Sequence, residues 1–266
     1  MADAGCRVVQ VPASHLSEAF SLVVLYPSVS PEGPTPIGPY VVSVALDGVA
    51  ASGQWPVVVI SHGSGGSGLT HRDLARHLAR HGFLVLVPEH PGNNRDDNHL
   101  ANTAAILEQR PLDVTAALDW AGSAAGWPRR ADLRRVGIVG HSLGGYTALA
   151  LGGGRPTAFA RETPDGRPQV VAVTPDPRVA ALVLLAPAAP WFLVSGALSA
   201  RSPAFASALR RAGHERGIPA RAGSPGLRSC GLPRHALCGS QGVPGAAAGM
   251  TRPRGAAVSA SGRHEC

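Results

Sequence analysis

Lysine is missing from this chain altogether: the 24 side chains counted as Lys+Arg are all arginine. A P-loop needs a lysine to reach the nucleotide phosphates, so that mode of binding is excluded. Cysteine is scarce. Cys6, Cys230, Cys238 and Cys266 form no C-x-x-C pair, which supports neither a zinc site nor a disulfide framework. There is no H-E-x-x-H motif either, and no metal or organic cofactor is expected. No stretch of about 18 apolar residues is present to span a membrane. Met1 to Gln10 holds no basic segment leading into an apolar one, so no secretory leader is expected and the cytoplasm is the expected location.

The formal net charge of +7 invites a nucleic-acid reading, but its distribution argues against one. Residues 201–266 carry 10 of the 24 basic side chains and only 2 of the 17 acidic ones. The first 200 residues, with 14 basic and 15 acidic side chains, come to a net −1. The basic character belongs to the tail and not to a folded face with interleaved aromatics, so no nucleic-acid partner is expected.

At 44% hydrophobic the chain can bury a core, and at 15% charged it is not a disordered composition. From about residue 55, short apolar runs alternate with helical patterns. Val57–Ile60 reads as a buried parallel strand. Thr70–His81 reads as a helix, with Leu74 and Leu78 on one face and Gly82 at its end. Phe83–Val87 is the next strand, stopped by Pro88, and Glu89–Asn98 is a loop containing the solvated pair Asp96–Asp97. Pro111 opens a helix along which Val114, Ala117, Leu118 and Ala121 recur. Val136–Val139 is a strand, Leu143–Leu151 a helix and Val179–Ala186 a strand. This alternation predicts an α/β fold with a mostly parallel sheet flanked by helices. Phe20–Tyr26 and Tyr40–Leu46 supply an antiparallel edge.

Residues 201–266 break the pattern. Ala, Gly, Arg, Ser and Pro fill 47 of these 66 positions, and Val, Ile and Leu total seven, never adjacent. Such a segment cannot bury enough apolar surface to offset its ordering entropy. The expected organisation is one domain over residues 1–200 that lacks its last strands, followed by a disordered or frame-shifted tail over 201–266.

Gly140-His141-Ser142-Leu143-Gly144 matches G-x-S-x-G between a predicted strand and a predicted helix. The chemistry needs a serine lifted clear of the backbone on a tight turn. Gly140 and Gly144 keep its flanks free of side chains, and Gly145 adds room. The Leu143 N–H then faces the carbonyl oxygen under attack, helped by the helix N-terminus. A second glycine segment, Ser61-His62-Gly63-Ser64-Gly65-Gly66, follows the strand at Val57–Ile60 and offers the Ser64 N–H as the other oxyanion donor. His62 and His141 beside these motifs read as structural or supporting, and His71, His77 and His81 as exposed or half-buried.

The same loop also fits a rival. Gly63-Ser64-Gly65-Gly66-Ser67-Gly68 is formally G-x-G-x-x-G, with Glu89 near the end of the next strand, the outline of a dinucleotide-binding oxidoreductase. Against it, Ser61 and His62 come between the strand and the first glycine, and about 50 residues with their own strands precede the unit.

Three stretches in order, VVVISHGSGGSG, DLARHLARHGFLVLVPEHPGN and RVGIVGHSLGGYTALAL, resemble the dienelactone hydrolase-like branch of the α/β-hydrolases, the group that also resembles platelet-activating factor acetylhydrolases and bacterial cutinases. The resemblance covers roughly residues 18–200. It implies an α/β-hydrolase fold, a Ser–His–acid triad and cleavage of an ester or related acyl bond of a small molecule. Dienelactone hydrolases proper use a cysteine where this chain has Ser142, which sets their substrate apart. The acetylhydrolases place an aspartate just after the strand that follows the nucleophile helix. Here that stretch is Leu184-Leu185-Ala186-Pro187-Ala188-Ala189-Pro190, without an acid.

The order expected of the triad is Ser, then Asp or Glu, then His. Glu162, Asp165 and Asp176 come before the Val179–Ala186 strand, too early for that pattern, and the histidines after Ser142 are His214, His235 and His264, all in the tail. Glu215 with His235 has the right order and nothing else in its favour. Triad acid and base are therefore unassigned. The alternative to an active serine hydrolase is an inactive truncated or frame-shifted product of the same fold. Trp191 and Phe192 either line an acyl pocket or pack the core.

Overall fold

The computed structural model describes residues 2–123, 125, 127 and 129–192; the 201–266 segment, with its histidines and Glu215, lies outside the described residues. The strands are β1 Asp3–Val11, β2 Phe20–Ser28, β3 Gly33–Ile37, β4 Tyr40–Leu46, β5 Trp55–Ser61, β6 Leu84–Pro88, β7 Ala131–His141, β8 Thr157–Ala158, β9 Gln169–Val170 and β10 Val179–Leu185. The helices are α1 Arg72–Arg80, α2 Ala104–Gly122 and α3 Leu143–Leu151.

The main sheet has the order β10-β7-β5-β6-β2-β1-β4-β3, and β8 pairs with β9 apart from it. Its central strands β10, β7, β5 and β6 are parallel, β2 is antiparallel to β6 and to β1, and β4 runs parallel to β1 and antiparallel to β3. This is the α/β-hydrolase architecture. Because side chains alternate along a strand, β5 feeds two cores. Val57 and Val59 pack with Val114, Ala117 and Leu118 of α2, whereas Val58 and Ile60 pack with Ala75 and Ala79 of α1. Each fully buried Val or Leu contributes about 1.5–3 kcal/mol, and burial on both faces explains why β5 and β6 are nearly continuous apolar runs.

Several boundaries differ from the sequence reading. Asp3–Val11, to which the sequence reading assigned no element, is a full strand paired along its length with β2. The helix expected over 70–81 starts with a 3₁₀ turn at Gly68–His71, and its α-helical part is Arg72–Arg80. Strand β6 ends at Pro88, which is its last residue and lies opposite Leu22, one position later than expected. Pro111 does not open a helix. Helix α2 starts seven residues earlier at Ala104, capped by Thr103, whose side chain accepts from the Ile106 N–H at 3.4 Å. The proline sits in its interior, where its missing N–H must be made good elsewhere.

Register fixes what comes next. Ser61 at the end of β5 lies opposite Gly140 near the end of β7, and Leu185 of β10 lies opposite His141. The loops leaving these three strands therefore emerge side by side at the carboxyl edge of the sheet, where ligands bind in open α/β folds.

Candidate active site

Ser142 joins β7 to α3 with φ 52° and ψ −115°, a conformation that a residue with a side chain rarely adopts. The strain is held from several sides. Ser142 N–H donates to the Leu185 carbonyl at 3.0 Å, and the Ser142 carbonyl accepts from Gly145 N at 2.9 Å and Ala188 N at 2.8 Å. The turn closes only because its flanks are bare. A Cβ on Gly144 would lie 1.9 Å from the Ser61 carbonyl oxygen, and one on Gly140 would lie 2.2 Å from the Gly144 oxygen. The result is a sharp strand-to-helix turn with a serine at its apex.

The β5 loop comes right up to it. A Cβ on Gly63 would stand 3.2 Å from Ser142 Cβ and 3.3 Å from His141 Nδ1. Ser64, Ser142 and Leu143 line one small cleft of about 130 Å³, together with Ile106, Leu107, Ala188 and Trp191. The N–H groups of Ser64 and Leu143 make no hydrogen bond among the described residues. Two larger surface clefts, of about 400 and 430 Å³, lie along α2 away from Ser142, so size alone does not locate the site.

Glu162 also reaches this cleft. Its Oε2 accepts from Trp191 Nε1 and from Phe159 N–H, both at 2.8 Å. Trp191 and Phe192 thus divide the two roles left open above: Trp191 lines the cleft, whereas Phe192 is fully buried against Tyr146. Among the described residues no side chain hydrogen-bonds the Ser142 hydroxyl, and no cluster of three or more His, Cys, Asp or Glu is placed to hold a metal ion. No described helix is long and apolar enough to cross a membrane.

Of the histidines near the site, His62 is committed elsewhere, whereas the buried Nε2 of His71 has no hydrogen-bond partner among the described residues. His62 Nε2 accepts from the His90 N–H at 3.3 Å, so its proton sits on Nδ1, which donates to the Gly63 carbonyl at 2.7 Å. Burial, and then the charge of Arg110, lower its pKa to about 3, so it is neutral and fully engaged. His71 packs edge-on against His141, ring centroids 5.0 Å apart. Burial, and then His141, lower the pKa of His71.

Behind the cleft lies a polar network that the sequence reading did not single out. Arg110 is fully buried and donates through Nε to Thr147 Oγ1 at 3.2 Å, through Nη1 to Asn93 Oδ1 at 2.8 Å, and through Nη2 to Ser61 Oγ at 3.2 Å and to the His62 carbonyl. A guanidinium can only donate, so the Ser61 hydroxyl gives its own proton to His90 Nε2 at 2.9 Å. His90 then donates from Nδ1 to Asp113 Oδ2 at 2.8 Å, and His15 Nε2 meets Asp113 Oδ1 at the same distance. The result is a Ser–His–Asp chain with triad-like distances, but all three side chains are buried and no substrate can reach Ser61. The chain connects the Arg110 guanidinium to the Asp113 carboxyl through two neutral groups. Burial lowers the Arg110 pKa to about 9, raises that of Asp113 to about 6, and puts that of His90 well below its usual value. The signal in the sequence was a charged pair, Arg110 and Asp113, three residues apart on the apolar stripe of α2.

The glycine loop is occupied from within. Gly68 N–H donates to Glu89 Oε2 at 2.8 Å, Gly66 N–H to the Gly63 carbonyl at 3.1 Å and Ser67 N–H to Thr70 Oγ1 at 3.1 Å. A carboxylate already holds the amide that a dinucleotide phosphate would need.

Comparison with known proteins agrees with the fold. Residues 32–159 match the chlorophyllase family model. Chlorophyllase-1 of Citrus sinensis is 28% identical over 125 residues, which cover 46% of this chain and 35% of that protein. The matched stretch thus spans about a third of the curated relatives' length. Among solved structures, a ferulic acid esterase from Streptomyces cinnamoneus superposes with a TM-score of 0.51 at 21% identity, covering 67% of this chain and 57% of its own. A dienelactone hydrolase from Anabaena variabilis gives a TM-score of 0.39 at 19% identity, covering 66% of this chain and 61% of its own. The chain is an α/β-hydrolase by fold, and over residues 32–159 its sequence resembles an esterase family of that fold.

Proposed function

We propose that this α/β-hydrolase is a serine esterase that forms an acyl-enzyme on Ser142. The observation that carries the reading is the strained Ser142 backbone, φ 52°, facing a cleft shared with Leu143 and Ser64. In the proposed reaction Ser142 Oγ attacks the ester carbonyl, and the Leu143 and Ser64 N–H groups stabilise the oxyanion as it forms. The leaving alcohol departs with a proton, and water then hydrolyses the acyl-enzyme. The match to the chlorophyllase family over residues 32–159 supports an ester substrate, because that span contains both the Ser64 loop and the Ser142 turn. A cleft of about 130 Å³ walled by Ile106, Leu107, Leu143 and Trp191 fits a small acyl group.

No general base or triad acid is assigned in this reading; the Ser–acid–His order places both after the strand at Val179–Leu185. His214, His235 and His264 are the histidines there. A second reading, an inactive product of the same fold, is favoured by one observation: no described side chain hydrogen-bonds the Ser142 hydroxyl. The two are separated by p-nitrophenyl acetate hydrolysis with the wild type and Ser142→Ala. Weak turnover is expected, since losing a triad member costs orders of magnitude while the oxyanion hole still contributes. Equal rates for the two proteins would remove Ser142 from the chemistry. Fast turnover abolished in Ser142→Ala would dispose of the inactive reading.

A further inference from the structure

If the Ser64 and Leu143 amides are the oxyanion donors, something must hold two separate chain segments at a fixed distance. One side chain touches both from behind. We infer that Arg110 is the positioning residue of the oxyanion hole, setting the Ser64 loop against the first turn of α3. The inference rests on the esterase reading above.

The contacts on the loop side are direct and relayed. Arg110 Nη2 donates to the His62 carbonyl, which fixes the peptide plane entering Gly63 and Ser64. Arg110 Nη1 holds Asn93 Oδ1, so the Asn93 amide nitrogen is turned outward, where it donates to Ser64 Oγ at 2.9 Å and to Asn98 Oδ1 at 2.7 Å. On the helix side, Arg110 Nε donates to Thr147 Oγ1, and the Thr147 hydroxyl donates to the Leu143 carbonyl at 3.2 Å. Leu143 is the residue whose N–H is the other proposed donor. A single planar guanidinium therefore spans both halves of the hole, and its rigid fork sets their spacing.

The site is built for this cation. Burying an unpaired guanidinium is costly, and the cost is met here by four hydrogen bonds and by Asp113, reached through Ser61 and His90. Arg110 is fully buried and does not line the cleft, which makes it a positioning group.

The test uses the full chain with Arg110→Met, Arg110→Lys and Thr147→Val. Steady-state hydrolysis of p-nitrophenyl acetate gives kcat and KM separately, and hydrogen exchange reports the order of the 61–68 and 20–28 segments. In Arg110→Met, kcat is expected to fall about a hundredfold with KM within about threefold, the pattern of a lost transition-state contact. Arg110→Lys, which keeps the charge and loses the fork, falls in between. Thr147→Val, which removes the acceptor of Nε and the tether to Leu143, loses severalfold in kcat. Exchange over 61–68 speeds up by about tenfold in both Arg110 variants, while 20–28 in β2 stays at its wild-type rate. Wild-type kcat in a folded Arg110 variant, a rise in KM alone, or unchanged exchange over 61–68 would overturn the inference. Should Arg110→Met fail to fold, the other two variants carry the test. Should wild-type Ser142 prove unreactive, the esterase reading fails, while exchange over 61–68 in Arg110→Lys still decides whether Arg110 orders the loop.

Discussion

The Tyr146 hydroxyl donates to the Leu107 carbonyl at 2.9 Å, and it takes the place of an N–H that Pro111 does not have. In an unbroken helix the amide of residue 111 would bond that oxygen. Here the donor comes from α3, so a defect in α2 becomes a tie between α2 and the helix that follows Ser142. Tyr146 is fully buried and packs on Trp191 and Phe192, which carries the same tie into the wall of the cleft.

Tyr146→Phe should therefore destabilise by about 1–3 kcal/mol, because the Leu107 carbonyl is left buried without a partner while the ring still fills its space. Urea unfolding would register this as a lower midpoint with an unchanged slope. A midpoint equal to that of the wild type would mean the carbonyl finds another donor.

Acid should weaken the fold well before its exposed carboxylates titrate. His62, with its pKa lowered to about 3, and His90, also lowered, stay neutral in the folded chain but take up protons in the unfolded one below about pH 6.5. Their stability contribution is complete above that pH and is lost as pH falls toward the folded values. Asp113 acts in the opposite sense. Its pKa is raised to about 6, so the folded state binds its proton first and regains stability between about pH 6 and 4. Two sites against one leaves a net loss of about 3 kcal/mol between pH 8 and pH 5, at about 1.4 kcal/mol per site and pH unit. Urea midpoints at the two pH values measure it, and a midpoint that stays level or rises on acidification would contradict the assignment of both histidines as neutral.

Gly63→Ala should separate activity from stability. The added Cβ meets Ser142 Cβ at 3.2 Å and His141 Nδ1 at 3.3 Å, contacts that give only by moving the loop or the Ser142 turn. A stability loss of about 1 kcal/mol is expected, together with at least a tenfold drop in the rate at which Ser142 is phosphonylated by a fluorophosphonate. Wild-type labelling in the folded variant would show that the two segments are not held at a catalytic spacing.

The parts of the fold that the sequence makes legible are those where one physical rule dominates. β5, β6 and α3 announce themselves through apolar runs and a strand–turn–helix glycine pattern. β1 does not, because Arg7 and Gln10 interrupt its alternation and its pairing with β2 supplies what local pattern lacks. Pro111 misleads because a proline at a helix start and one tolerated inside a helix look alike until Tyr146 is seen to supply the missing donor. Ser64, Ser142 and Leu143 at the cleft come from short motifs with their own backbone demands. Arg110, Asp113 and His90 do not, since each gains its meaning from partners 17 to 98 positions away.

The coding DNA should hold a different continuation after about codon 195. Among the described residues β10 pairs with β7 on one side only, and along it Val183 is 51% exposed and Leu184 and Leu185 are each 36% exposed. An open apolar edge of this kind is a place for a further strand. The sequence beyond offers none: from Arg201 on, aspartate is absent, three of the four cysteines appear, and Val, Ile and Leu never stand side by side. These changes coincide with the point where the strand bearing the triad acid, and then the loop bearing the histidine, are due in the Ser–acid–His order. A genuine polar tail would account for the composition but not for the loss of both elements at one position. Translating the DNA from codon 195 in the other two frames is expected to give an apolar strand followed by an aspartate, and later a histidine preceded by small residues. If neither frame does so, the shifted-frame account is wrong, residues 201–266 belong to the chain as written, and the general base for Ser142 has to be sought among His214, His235 and His264.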